Sequence, residues 1–164
     1  MRLHAKTTLV AICMTAVTLL FNGCTAYIFG LSQTSAYGDL ILNFESDRSQ
    51  VRVGEAVHMR FTIKNAGNKP YVIESPDTPV MDINVQIPGG PAVLNWASQN
   101  PVKVSHRLEW QPGASRTIEL VWTPKQEDFA RNDLPAFYLS GILYENSVVV
   151  QGASVTVCTT DTCR

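Results

Sequence analysis

Apolar and polar residues alternate along most of the chain after residue 39, and this period of two predicts β-strands. The clearest strand has one face of four apolar side chains: Val57, Met59, Phe61 and Ile63. Residues 65–70, which contain Asn, Gly and Pro, then favour a turn. The segment therefore predicts a half-buried antiparallel strand that ends at a turn.

Other apolar segments of strand length are separated by turns rich in Gly, Pro and Asn. These candidate strands cover residues 40–44, 51–53, 71–74, 81–87, 93–96, 102–110, 118–122, 136–144 and 148–157. No helical period of useful length competes with them. We expect seven to nine short antiparallel strands in an all-β sandwich with Greek-key connections, preceded by an N-terminal signal or anchor helix.

Two details favour an immunoglobulin-like sandwich. Tyr138 follows a possible corner near the start of a late strand, and Trp96, Trp110 and Trp122 provide the large side chains that such cores bury. No cysteine pair is placed to join two sheets, which disfavours a true antibody-type domain.

An uncharged run between Lys6 and Asp39 follows a short basic N-terminus. Within it, residues 20–24 (Leu-Phe-Asn-Gly-Cys) resemble the end of a bacterial lipoprotein signal, which implies acylation at Cys24. Phe21 and Asn22 depart from the usual motif, so an uncleaved anchor helix over residues 9–31 stays the alternative. In both cases the basic N-terminus stays cytoplasmic and the domain is exported.

These features predict three parts: a signal peptide over residues 1–23, the acylated Cys24 with a tether over residues 24–38, and the sandwich over residues 39–164. The expected location is the cell membrane or the outer membrane. The lipid or anchor helix would contact the membrane while the domain faces the extracytoplasmic side.

Two cysteines, Cys158 and Cys163, remain in the predicted domain. Export to an oxidising compartment favours a disulfide between them. A free dithiol and a metal site are the alternatives, but the chain has no further Cys or His pair at ligand spacing.

The composition argues against nucleic acid as a partner. Of 13 basic residues, 11 remain without Arg2 and Lys6, against 14 acidic ones, so the predicted domain has a net charge of −3 (11 − 14). The basic residues are also scattered singly, whereas phosphate binding needs them on one face. No Gly-rich phosphate loop is present, and we expect no cofactor.

No group of residues predicts catalysis. Ser105 and His106 are adjacent, with Asp82 or Asp128 as a conceivable third member, but no Gly-x-Ser-x-Gly elbow accompanies them. Four acidic loop residues lack the spacing of a calcium loop: Asp77, Glu127, Asp128 and Asp133. We therefore expect no enzyme, no catalytic residue and no metal.

The candidate binding loop is Ser75-Pro76-Asp77-Thr78-Pro79, in which two prolines stiffen the chain. A stiff exposed loop loses little entropy on docking. Residues 123–134 form a second, polar loop that contains Phe129. The alternative is that both loops only connect strands.

An ordered set of segments resembles the intracellular proteinase inhibitor (BsuPI) domain. They are residues 53–55, 61–65, 69–71, 81–85, Trp96, 108–117, Trp122 and 138–141. The resemblance implies an Ig-like β-sandwich and a link to protease inhibition.

The sequence thus predicts an exported, membrane-anchored, non-enzymatic binding module of the cell envelope, proteinase-inhibitor-like, with a protease or an envelope protein as partner. The alternative is a structural accessory domain of a surface assembly, without a ligand of its own.

Overall fold

The computed structural model describes residues 30–131, 136–150, 152 and 154–159. Its eleven strands are β1 (Leu31–Tyr37), β2 (Leu40–Ser46), β3 (Val57–Asn65), β4 (Tyr71–Glu74), β5 (Met81–Gln86), β6 (Ala92–Asn95), β7 (Arg107–Trp110), β8 (Ser115–Trp122), β9 (Ala136–Glu145), β10 (Val148–Val150) and β11 (Ser154–Cys158). Two short helices, α1 (Trp96–Gln99) and α2 (Gln126–Ala130), and a 3-10 helix over Pro101–Lys103 complete the described part. The all-β prediction is confirmed.

The strands form two main antiparallel sheets. One has the order β1-β2-β3-β8, and the other has the order β10-β9-β5-β6, with β11 also paired to β9. A small separate pair joins β4 to β7. This strand order is immunoglobulin-like: one sheet contains β2, β3 and β8, and the other contains β5, β6, β9 and β11. It confirms the predicted sandwich.

The inner faces of both sheets supply one hydrophobic core. Phe61 in β3 is fully buried and pairs in register with Phe44 in β2 and Ile118 in β8. All three tryptophans are buried, as predicted, and Trp122 meets Phe137 edge to face with 4.8 Å between ring centroids. This aromatic packing joins the two sheets.

The count of eleven strands exceeds the predicted seven to nine. The region 148–157 divides into β10 and β11, and the region 102–110 is a strand only from Arg107, because Pro101 starts a 3-10 helix there. Residues 51–53 are not a strand, although Val51 is buried and its N–H donates to the carbonyl of Cys158 (2.8 Å).

The additional first strand, β1, lies within the segment that the sequence assigned to the tether. It pairs with β2 from Leu31 opposite Ser46 to Tyr37 opposite Leu40. The described sandwich therefore extends at least eight residues before Asp39 (39 − 31 = 8). The phenol of Tyr37 also donates a hydrogen bond to Glu145 in the other sheet, and this bond is the main reason that the pKa of Tyr37 rises to about 12.

The predicted signal peptide or anchor helix and Cys24 lie within residues 1–29, outside the described part. Among the residues that are described, no helix combines the length and the apolar character needed to span a membrane.

Candidate functional site

The predicted binding loop, residues 75–79, is a tight turn between β4 and β5. Pro76 and Asp77 are exposed at its apex, while Ser75 at its base is fully buried. Proline suits the second position of such a turn because its ring fixes φ near −65°. The chain then returns to the core at Val80, which is buried.

His106, which immediately precedes β7, supports the turn. Its Nδ1 atom lies 3.0 Å from the carbonyl oxygen of Ser75 and 2.9 Å from that of Thr78. Because both oxygens can only accept, Nδ1 bears the hydrogen. The N–H of Ser75 in turn donates to the carbonyl of His106 (2.8 Å).

A second support comes from the turn between β9 and β10. The N–H of Ser147 donates to Ser75 Oγ (2.8 Å), and the Ser147 hydroxyl donates to Asp77 Oδ2 (3.1 Å). Ser75 Oγ also lies 2.5 Å from Thr78 Oγ1. These bonds hold the turn in one geometry.

The sequence did not identify His106 and Ser147 as supports of this turn. They are 31 and 72 residues away from Ser75 along the chain. No local signal in the sequence places them there, because the contacts depend on how the hairpins stack.

The second loop, residues 123–134, does not expose Phe129 as a binding residue. Its central part is α2, and Phe129 packs against Phe137 with 5.6 Å between ring centroids. Asp128 is buried and accepts the N–H of Lys125 (2.8 Å), which caps the helix. The described part of this loop therefore covers one end of the core.

Ser105, His106, Asp82 and Asp128 each form hydrogen bonds with different backbone groups. Ser105 Oγ donates to the carbonyl of Arg107 (2.6 Å), and Asp82 Oδ1 accepts from the N–H groups of Ile83 (2.8 Å) and Ala97 (3.0 Å). Burial raises the pKa of Asp82, and these N–H groups partly offset the rise. Each side chain is thus engaged with nearby backbone.

Of the acidic residues considered for calcium, Asp77, Glu127 and Asp128 are described, and they belong to no metal-sized cluster. Across residues 30–131, 136–150, 152 and 154–159, no three His, Cys, Asp or Glu side chains are close enough to hold a metal ion. Asp133 lies outside the described residues.

Two residues in the segments that resemble BsuPI have structural roles here. Asn65 is fully buried; its Nδ2 donates to the carbonyls of Lys69 (2.7 Å) and Trp110 (3.0 Å), and its Oδ1 accepts from Gly67 (2.9 Å). Gly141 lies against Phe61. Asn65 therefore ties its turn to β7, and Gly141 lets the two sheets approach each other.

The two predicted covalent sites remain predictions. Cys158 is buried in β11, but Cys163 lies outside the described residues, as does Cys24.

A groove that the sequence did not indicate lies beside β8. Two adjoining cavities of about 240 and 500 Å³ share four lining residues: Trp96, Lys103, Thr117 and Ile118. The walls come from α1, the 3-10 helix and β8, so only the folded chain brings them together.

Comparison with known proteins gives fold-level likeness only. The chain matches no known family profile and no curated protein. A crystal structure of a CARDB domain from Pyrococcus furiosus, in complex with di-metal ions, is 16% identical with a TM-score of 0.44, covering 78% of this chain and 90% of that one. The C-terminal domain of wzt is 9% identical with a TM-score of 0.45, covering 81% and 80%.

A beta-glucosidase from Listeria innocua is 13% identical with a TM-score of 0.43, covering 77% of this chain but only 16% of the glucosidase. TM-scores below 0.5 at such identities carry no functional information. The fold assignment therefore depends on the strand order described above.

Proposed function

We propose that the chain is an exported, membrane-anchored, non-enzymatic binding module of the cell envelope that recognises a protein partner through the apex of the Ser75–Pro79 turn. One observation supports this assignment most directly: the exposed Pro76 and Asp77 stand on a base that Ser147, His106 and Thr78 hold by hydrogen bonds.

This arrangement favours binding because the residues of the turn are already ordered by the fold. Fixing the backbone of one flexible residue costs about 1–2 kcal/mol, so five disordered residues would weaken binding substantially. Here the fold has already ordered them, and a partner meets a fixed surface. That surface offers an apolar proline ring beside a carboxylate.

A protease is the partner that the resemblance to the BsuPI domain implies. The chain reverses direction at Pro76 and Asp77, so an inhibitory contact would use the apex of the turn. An extended, substrate-like loop has a different shape. Another envelope protein would fit the same apex if it had a pocket for the proline ring and hydrogen-bond donors for the Asp77 carboxylate.

The membrane anchor is supported by the motif at residues 20–24. Strand β1, the first in the described part of the chain, begins seven residues after Cys24 (31 − 24 = 7). At about 3.3–3.6 Å per residue, that tether spans at most about 25 Å. A lipid on Cys24 would therefore hold the domain close to the bilayer surface, and its partner would be a protein near the membrane.

The alternative function is a structural accessory domain without its own ligand. The same hydrogen bonds favour it, since Ser75 joins β4, β7 and the β9–β10 turn whether or not Pro76 and Asp77 meet a partner. Only a binding measurement separates the two functions.

The test uses the full chain in detergent micelles against a panel of serine proteases and, in parallel, a photo-crosslinker at position 77 in intact cells. Any protease or identified crosslinked protein is then titrated against Asp77→Arg and against Pro76→Gly/Pro79→Gly. We expect affinity to fall at least tenfold in both. Asp77→Arg removes the exposed carboxylate, and in the double proline variant each freed residue costs about 1–2 kcal/mol to reorder. The melting temperature should change little.

Glu127→Arg is the matched control, since Glu127 is an exposed acid in a different loop. If Glu127→Arg weakens binding as much as Asp77→Arg does, the apex is not the recognition surface. If no protease is inhibited and no partner is captured at position 77, the accessory-domain alternative replaces the proposal.

A further inference from the structure

Strand β8 lies at the end of its sheet, and the hydrogen-bond pattern shows which of its backbone groups face outward. The N–H of Asn65 donates to the carbonyl of Ala114 (3.0 Å), so the odd-numbered residues of β3 bond toward β8. The carbonyl of His58 instead accepts from Asp47 (3.1 Å), so the even-numbered residues bond toward β2.

In an antiparallel ladder these two orientations alternate strictly. The residues opposite the even positions of β3 are Thr117, Glu119 and Val121, and their N–H and C=O groups point away from β3. In the described part of the chain, no hydrogen bond joins these groups to another segment. β8 thus presents a free strand edge.

Apolar side chains lie next to this edge. Trp96 and Ile118 line the cavity of about 500 Å³ together with Lys103 and Thr117, and the adjoining cavity of about 240 Å³ is also lined by Met81 and Leu108. An added strand lies about 4.8 Å from its neighbour, and every second side chain points to the same face. The groove therefore has space and apolar surface for alternate side chains of an extended peptide.

The charges at the groove are positive. Lys103 and Arg116 border it, and neither forms an ion pair with a carboxylate among the described residues. The Arg116 guanidinium donates to the backbone carbonyl of Glu109 (3.2 Å). Glu119, the acid in the groove, already pairs with Arg60 (2.9 Å). A net positive groove on a domain of net charge −3 attracts an acidic ligand.

We propose that this groove binds an extended acidic peptide segment of a partner protein, which adds as a strand to the free edge of β8. Backbone hydrogen bonds would supply affinity, and Lys103 and Arg116 would select carboxylate side chains. The groove uses none of the residues of the Ser75–Pro79 turn, so the proposal stands apart from the function proposed above.

The probe is the blocked peptide Ac-(Val-Glu)3-NH2, titrated onto the full chain in detergent micelles while tryptophan fluorescence and backbone NMR shifts of β8 are followed. We expect saturable binding, with shifts at Thr117 and Glu119. The peptide Ac-(Val-Lys)3-NH2 should bind at least tenfold more weakly, and Lys103→Glu should reverse that preference. Lys125→Glu, an exposed lysine that does not line the groove, is the control and should change neither affinity.

Thr117→Pro tests the backbone contact. Its N–H faces the free edge, so proline there keeps the ladder to β3 while removing one donor, and affinity should fall at least tenfold. A Val-Glu peptide with N-methylated backbone makes the same test on wild-type protein, should Thr117→Pro fail to fold.

Several results would overturn the proposal. The first is that the Val-Glu peptide shows no saturable binding at 1 mM. The second is that the Glu and Lys peptides bind with equal affinity, and the third is that the N-methylated peptide binds with full affinity. A concentration-dependent dimer that Thr117→Pro dissociates would show instead that a second copy occupies the edge. Asp77→Arg should leave peptide binding unchanged, which separates this test from the function of the turn.

Discussion

Gly141 in β9 lies directly against the ring of Phe61 in β3, so that a Cβ atom at position 141 would overlap with Cδ2 of that ring. The two residues belong to opposite sheets. The reason for glycine here is space, since the side chain of any other residue would occupy the volume of the Phe61 ring. The sheets can approach this closely only because position 141 has no side chain.

Gly141→Ala should therefore reduce the free energy of unfolding by about 1–3 kcal/mol, because overpacking forces the ring or the backbone to move. Urea denaturation measures the change. Gly30→Ala is the matched control, since a Cβ atom there meets nothing within 4 Å. A loss below 0.5 kcal/mol in Gly141→Ala would show that the sheets are spaced further apart than described.

Phe61→Ala should cost about 3–5 kcal/mol, because it removes a fully buried aromatic side chain from the core. Thr62→Ala, on the opposite face of the same strand, loses one hydroxyl contact with Thr117 (2.9 Å) and should cost about 1 kcal/mol or less. Equal denaturation midpoints for the two variants would contradict the register of β3.

Asp82→Asn should give a pH-dependent gain in stability. Burial raises the pKa of Asp82 above its ordinary value of 3.8, so the ionised carboxylate costs stability at neutral pH. That cost falls as the pH drops through the raised pKa and is absent below 3.8. Asparagine keeps an oxygen that can accept from Ile83 and Ala97 without the charge.

Urea denaturation at pH 7, 5 and 3.5 measures this difference. The free energy of unfolding of Asp82→Asn, relative to that of wild type, should be highest at pH 7, and this gain should shrink toward pH 3.5. A difference that stays constant over this range would show that the carboxyl pKa is the same in the folded and unfolded states.

Cys24→Ala should leave the precursor uncleaved and without acyl label, whereas wild-type protein should begin at an acylated Cys24. Mass spectrometry of protein from membranes measures both. Stable attachment needs more than one acyl chain, so a diacylated or triacylated cysteine is expected. If the wild-type protein is instead found at full length and unmodified, the N-terminal segment is an uncleaved anchor helix and not a lipoprotein signal.

Local patterns in the sequence were sufficient for the fold class and for several strands. The alternation around Phe61 identified β3, and the segment Tyr71–Glu74 was predicted with the bounds that the structure has. Such predictions succeed because a half-buried strand repeats every two residues and needs only its own side chains to show that repeat.

The first strand shows where that reasoning ends. Residues 31–37 are mostly polar and small, so they gave no strand signal, yet they pair with β2 along their whole length. Edge strands of this kind are held by ladder hydrogen bonds and by contacts such as Tyr37 with Glu145, which is 108 residues away.

The candidate sites divide in the same way. The sequence by itself determined the stiff Ser75–Pro79 segment, because proline restricts φ locally, and the motif that predicts export. Only the tertiary structure decided that Ser147 and His106 fix the turn, and that β8 has a free edge beside Trp96 and Lys103. Those relationships depend on sheet order and on contacts between distant segments, which no local pattern encodes.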